Sequence, residues 1–170
     1  MSFVIQTTVT CYLLPRDGAA TRADFLRHLL SPGKTWITAY ALTLPDMISE
    51  LLEAHRQGAP LHIYLDHSQE VGETEQPLVQ QLVDAGVEVT IGTSPAGSKF
   101  ICHTEGIVSD PPKAGDPVWC AEGSSNFSMN TWQQVNTVMV FSSQDRRDEF
   151  VAQFEALRDF VRANERNLRS

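Results

Sequence analysis

Residues 34–69, KTWITAYALTLPDMISELLEAHRQGAPLHIYLDHSQ, decide the fold. TWITAYAL is a nearly continuous apolar and β-branched run, the pattern of a strand buried on both faces. PDMISELLEAHRQG follows, with proline in its first turn, Ile48, Leu51, Leu52 and His55 on one stripe, and Gly58 as terminator. PLHIYLDH then reads as a second buried strand. Strand, helix and strand in so short a span form a crossover unit, whose two strands lie parallel in one sheet.

The same alternation extends in both directions. Downstream, EQPLVQQLVDAG is a helix ending at Gly86 and VEVTIGT a strand; upstream, FVIQTTVTCYLL is a strand and TRADFLRHLLS a helix with Phe25, Leu26, Leu29 and Leu30 on one side. SKFICHTEGIVSD and DPVWCAEGSSNF read as two strands joined by the turn PPKAGD, and VNTVMVF as another. QDRRDEFVAQFEALRDFVRANE closes the chain as a long helix with Phe150, Phe154, Leu157 and Val161 inward. The expectation is one α/β domain over residues 1–170, with a mixed, largely parallel sheet flanked by helices.

Thirteen Lys and Arg residues against twenty-one Asp and Glu leave a net charge of −8, a poor balance for indiscriminate nucleic-acid binding. A local basic cleft remains compatible with it. The arginines of SQDRRDEF and VRANERNLRS read as a solvated helical face. No stretch is apolar enough to span a membrane, and the N-terminus lacks the basic leader of a signal peptide, so no membrane partner is expected. Three cysteines without an export signal indicate free thiols in the cytoplasm rather than a disulfide framework.

Of five histidines, His28 and His55 lie on helices beside apolar stripes, a structural setting, and His62 lies within a strand. Asp66 and His67 stand at the carboxyl end of a strand, where α/β sheets build their sites. His103 lies in the strand HTEGIVSD, with Glu105 and Ile107 on its face by two-residue alternation. The turn Gly123-Ser124-Ser125-Asn126 follows. Its plain reading is a strand-to-helix connection that caps FSMNTWQQ, and its functional reading is a phosphate seat at a helix start.

His103 through Asp110 followed by GSSNF resembles the signature of the phospholipase D superfamily, in which H-x-K-x4-D precedes G-S-x-N-F, and the chain is similar to its single-motif bacterial nucleases over nearly all its length. The resemblance implies that His103 is the nucleophile, Asp110 the motif aspartate, and Ser124 and Asn126 phosphate-contacting positions. It implies a covalent phosphohistidine on His103, with a second histidine as general acid and then base. One motif per chain implies a homodimer that shares a cleft. No cofactor or metal is implied. The glutamate that often precedes the last strand in this family reads here as Val135, or Gln134 one place earlier.

Glu105 departs from the pattern, because it stands where the family carries lysine. That lysine gives positive charge to the phosphoryl oxygens; losing one such donor costs ~10²–10³ in rate. Lys99, four residues before His103 at roughly 3.3 Å each, is too distant to replace it. Three readings stand: an inactivated nuclease, a naturally silent binding subunit, or a divalent ion held by the His103 and Glu105 side chains of two chains. The expected function is a nuclease on DNA or RNA, impaired by Glu105. The alternatives are a non-catalytic dimeric subunit of a nucleic-acid-processing or defence complex and, third, a lipid phosphodiesterase.

Overall fold

The computed structural model describes residues 4, 6–29, 33–67, 76–97, 101–128 and 130–168, and side chains up to 164. Lys99 lies outside the described residues. Seven strands form one sheet in the order β1-β7-β6-β5-β2-β3-β4. They are β1 (Val9–Leu14), β2 (Thr35–Ala39), β3 (Leu61–Asp66), β4 (Glu88–Gly92), β5 (Glu105–Ser109), β6 (Trp119–Gly123) and β7 (Asn136–Phe141). The helices are α1 (Gly18–Leu29), α2 (Pro45–Arg56), α3 (Gln76–Asp84) and α4 (Gln144–Leu168).

The sheet is mixed, as the alternation of elements predicts. Its parallel part is β2-β3-β4, joined by the crossover helices α2 and α3. The ladders β2·β5, β5·β6, β6·β7 and β7·β1 are antiparallel, so the parallel share is smaller than expected. The cause lies after β4: β5, β6 and β7 follow one another without a long helix, and short connections require antiparallel neighbours.

Helices α1, α2 and α3 cover one face through a core that includes Phe25, Ile37, Leu51, Ile63, Leu82 and Ile107. On the other face, among the described residues, lies α4, whose Phe150, Phe154, Leu157 and Val161 pack on Trp36, Tyr64, Val108 and Cys120. Gly106 makes that contact possible, since a Cβ there would stand 2.6 Å from the Phe150 ring. No helix among the described residues is long and apolar enough to cross a membrane.

The expected helix FSMNTWQQ does not form; its described residues make turns. Phe127 is drawn toward the core: its N–H donates to Ala41 O (3.1 Å), its carbonyl accepts from Thr43 N (2.8 Å) and Leu44 N (2.9 Å), and its ring lies 6.1 Å from that of Phe25. The Thr131 hydroxyl bonds Ser125 Oγ (2.8 Å) and the Asn126 carbonyl. Local polar groups thus find partners without helical hydrogen bonds.

Candidate active site

The antiparallel entry of β5 beside β2 fixes the site. Thr38 of β2 pairs with Gly106, so the start of β5 meets the carboxyl ends of the parallel strands. Gly123 at the end of β6 pairs with Glu105. These ends border an open cleft of about 410 Å³ whose lining includes Thr38, His103, Glu105, Glu122, Ser124 and Arg146.

His103 is exposed and precedes the strand: residues 101–104 have no regular structure and β5 begins at Glu105, two residues later than the alternation required. The lead-in is anchored from β3. The Asp66 carboxylate, 1% exposed, accepts the backbone N–H of Cys102, the residue before His103. The His103 ring meets Tyr40 edge-on, with centroids 5.2 Å apart. Burial, first of all, pushes the Cys102 thiol up from its ordinary value, and so disfavours a thiolate beside the histidine.

Glu105 is buried at 8% exposure, and its Oε1 accepts the Tyr40 N–H at 2.9 Å. It lines the cleft and also a small cavity of about 10 Å³, walled by Phe25, Phe127, Trp132 and Val138. The carboxylate thus continues the hydrogen bonding of the β2 backbone past Ala39, while the ring of the same tyrosine touches His103.

Ser124 extends the ladder toward β7. Its N–H donates to Thr137 O (3.0 Å) and its hydroxyl accepts from Thr137 N (3.2 Å). Gly123 is required there, because a Cβ would stand 2.1 Å from Thr137 O. Asn126 is half-buried beyond the described lining of the cleft, with Oδ1 shielded from solvent and no hydrogen-bond partner among the described residues. The phosphate seat read at a helix start has no helix behind it.

Asp110 sits elsewhere. The length of β5 puts it roughly 17 Å from Glu105 at about 3.3 Å per residue. There it receives a two-pronged contact from Arg147, Nε to Oδ1 and Nη2 to Oδ2, both 2.8 Å. The Arg147 guanidinium lies 4.5 Å from the Trp36 ring centroid. Of the sequence-predicted residues, His103, Glu105 and Ser124 come together, whereas Asp110 ties the far end of β5 to α4.

Sequence reasoning passed over Tyr40, Glu122 and Arg146. Arg146 and Arg147 do not form the solvated face expected of them: their side chains are 17% and 21% exposed. Arg146 Nε donates to Glu122 Oε1 at 2.6 Å, and its guanidinium lies over the Phe150 ring. Their place in the first turn of the helix that covers β5 was the available signal. Val135 is 91% exposed and Gln134 is exposed, and among the described contacts His103 meets Tyr40 instead of either. His28 stacks on Trp119 and His55 bonds Ala85 O, the packed settings read for both, and His62 pairs with Glu88. Among the described residues no three His, Cys, Asp or Glu side chains group closely enough to hold a metal ion.

Comparisons with known proteins agree with the fold. Residues 29–158 match the family model described as "Cardiolipin synthase, PLD-like domain". Among solved structures, the chain is similar to the phospholipase D family member Nuc from Salmonella typhimurium (TM-score 0.74, 18% identity, 89% of this chain and 94% of that one). It is similar to NucT from Helicobacter pylori (TM-score 0.76, 12% identity, 89% and 96%). Phosphatidylserine synthase from Haemophilus influenzae shares the fold over 95% of this chain and 40% of its own (TM-score 0.60, 11% identity). No curated protein sequence matches.

Proposed function

The chain belongs to the phospholipase D-like family, and from that premise we propose that it is a nucleic-acid phosphodiesterase whose chemistry is impaired by Glu105. A His103 ring nitrogen attacks phosphorus and forms an N–P bond as the P–O bond to the leaving oxygen breaks. A second histidine gives that oxygen its proton. The same histidine then takes a proton from water, whose oxygen displaces His103 and releases the phosphate monoester. The second histidine is His103 of another copy, so the working unit is a two-fold homodimer with a shared cleft. The substrate is DNA or RNA. Three free cysteines fit a reducing cytoplasm.

The carrying observation is the pairing of an exposed His103 at the cleft mouth with a buried carboxylate at the lysine position. A negative charge beside developing phosphoryl charge removes attraction and adds repulsion. Glu105→Lys is therefore expected to raise cleavage of single- or double-stranded DNA or RNA, in chelator, by ~10²-fold or more. His103→Ala in that background should abolish the gain.

The second reading, a silent dimeric subunit of a nucleic-acid-processing or defence complex, is favoured by the way Glu105 is built into the backbone of β2. If Glu105→Lys folds, dimerises and stays inert on every nucleic acid, that reading replaces the first. Cleavage of phospholipid vesicles alone would point to a lipid phosphodiesterase. A monomeric mass at micromolar concentration removes the shared cleft.

A further inference from the structure

We infer that Tyr40 is the positioning residue of His103: its ring sets the direction of the imidazole, and Glu105 holds the tyrosine in place to do so. The inference rests on the phosphodiesterase reading of the site and concerns what aims the nucleophile.

The need for such a residue follows from the register. β2 and β5 pair from Thr35↔Ser109 to Thr38↔Gly106, and the same register carried further would set Tyr40 opposite Thr104. The ladder stops first. Residues 101–104 leave the sheet, so the pleat that directs side chains along β5 no longer directs the exposed His103. Asp66 fixes the peptide before it, but a hold on the Cys102 N–H does not fix the χ angles of His103.

Two contacts join this departing segment to the end of β2. The buried Glu105 carboxylate accepts the Tyr40 N–H at 2.9 Å, in place of the backbone acceptor that a continued ladder would offer. The Tyr40 ring meets the His103 ring edge-on, with centroids 5.2 Å apart and planes at 77°. Together they close a circuit that runs from His103 along two residues of chain to the Glu105 side chain, on to the Tyr40 backbone, and through the Tyr40 ring back to His103. A ring contact of this kind favours one orientation by about two- to tenfold. Aim matters here because an N–P bond forms only when the reacting atoms meet aligned and at close range.

The test is NMR of the His103 ring in the intact protein, with its signals assigned by their loss in His103→Ala. In wild type the tyrosine ring current should displace the His103 proton shifts from those of a solvated histidine, and carbon relaxation should show an ordered ring. Tyr40→Leu should move the shifts toward solvated values and raise ring mobility. Tyr40→Phe keeps the ring and should preserve both signatures. Glu105→Ala should loosen His103 as Tyr40→Leu does, whereas Glu105→Gln, which keeps an acceptor for the Tyr40 N–H, should loosen it less. In a Glu105 variant that cleaves, Tyr40→Leu should lower kcat about three- to tenfold with KM little changed. Thermal melts confirm that each variant is folded.

A wild-type ring as mobile as a solvated histidine, unchanged ring signals in folded Tyr40→Leu, Tyr40→Phe as disruptive as Tyr40→Leu, or a ring left ordered by Glu105→Ala would each overturn the inference. An unchanged kcat in Tyr40→Leu would do the same. If Glu105→Lys cleaves nothing while the ring signals respond as expected, the nuclease reading falls and the hold of Tyr40 on His103 stands. If Glu105→Lys cleaves and the ring signals ignore Tyr40, this inference falls alone.

Discussion

Strands β2, β3 and β4 run between helices on both faces, whereas β7 and β1 carry helices on one face and, among the described residues, leave the other open. Every residue of β2 is buried. On the open face Val9, Leu13 and Met139 are 46%, 44% and 41% exposed, with Cys11 paired across from Met139. β5 lies at the seam. Its far end is clamped under α4 through Asp110, and its near end opens into the His103 cleft beside the uncovered strands. A reactive side chain needs both conditions, a rigid strand to aim it and an uncovered side from which substrate arrives.

The unequal cover predicts unequal tolerance. Phe154, fully buried between α4 and the sheet at 6.4 Å from Tyr64, should cost about 3–5 kcal/mol when changed to alanine. Met139→Ala on the open face should stay within about 0.5 kcal/mol. Urea unfolding of the two variants checks the contrast, and equal losses would mean that the open face is covered in solution.

The motif aspartate sharpens the same contrast along β5. Asp110 raises the Arg147 pKa above its ordinary value, first through their hydrogen bonds. The pair is partly buried and lies over Trp36, between the exposed and the fully buried cases. Asp110→Ala should therefore lower stability by about 1–3 kcal/mol. In the Glu105→Lys background it should leave residual cleavage per folded molecule largely intact. A collapse of cleavage without any loss of stability would return Asp110 to the chemistry.

Much of this layout was legible because it depends on local pattern. The crossover unit at residues 34–69 announced itself by uninterrupted strands and a capped amphipathic helix, and both strands form. His103, Glu105 and Ser124 were singled out by the resemblance to the phospholipase D signature, and the antiparallel pairing of β5 with β6 brings the strand ends that carry Glu105 and Ser124 together. What escaped depends on contacts distant in sequence. Whether Arg146 faces solvent or Glu122 is decided by where α4 crosses the sheet, which helical periodicity does not reveal. The turns after Gly123 read as a helix because Ser and Asn are good caps, but Phe127 gains more from the core than a short helix offers. Asp66 was readable as a strand-end residue, and its hold on the peptide before His103 was not.

The smallest expected effect concerns the thiols. Cys11 is exposed on the open half, whereas Cys102 and Cys120 are buried under the covered one. Burial is the main cause that pushes the Cys120 thiol up to about 11 from 9.0, outweighing its hydrogen bond to Ser143 O. At pH 8 an alkylating reagent should therefore label Cys11 quickly and spare the other two until the protein unfolds. The sign of the linked pH effect follows. The unfolded chain releases the Cys120 proton near 9 and the folded one near 11, so stability from this thiol is whole below pH 9 and falls as pH rises toward 11. Tyr64, also pushed up by burial, adds a decline in the same direction at higher pH. Cys120→Ala should flatten the slope between pH 9 and 10 relative to wild type, measured by urea midpoints. If Cys120 in the native protein is labelled as fast as Cys11, the covered half opens on the labelling timescale, and the contrast between the two halves is one of average structure alone.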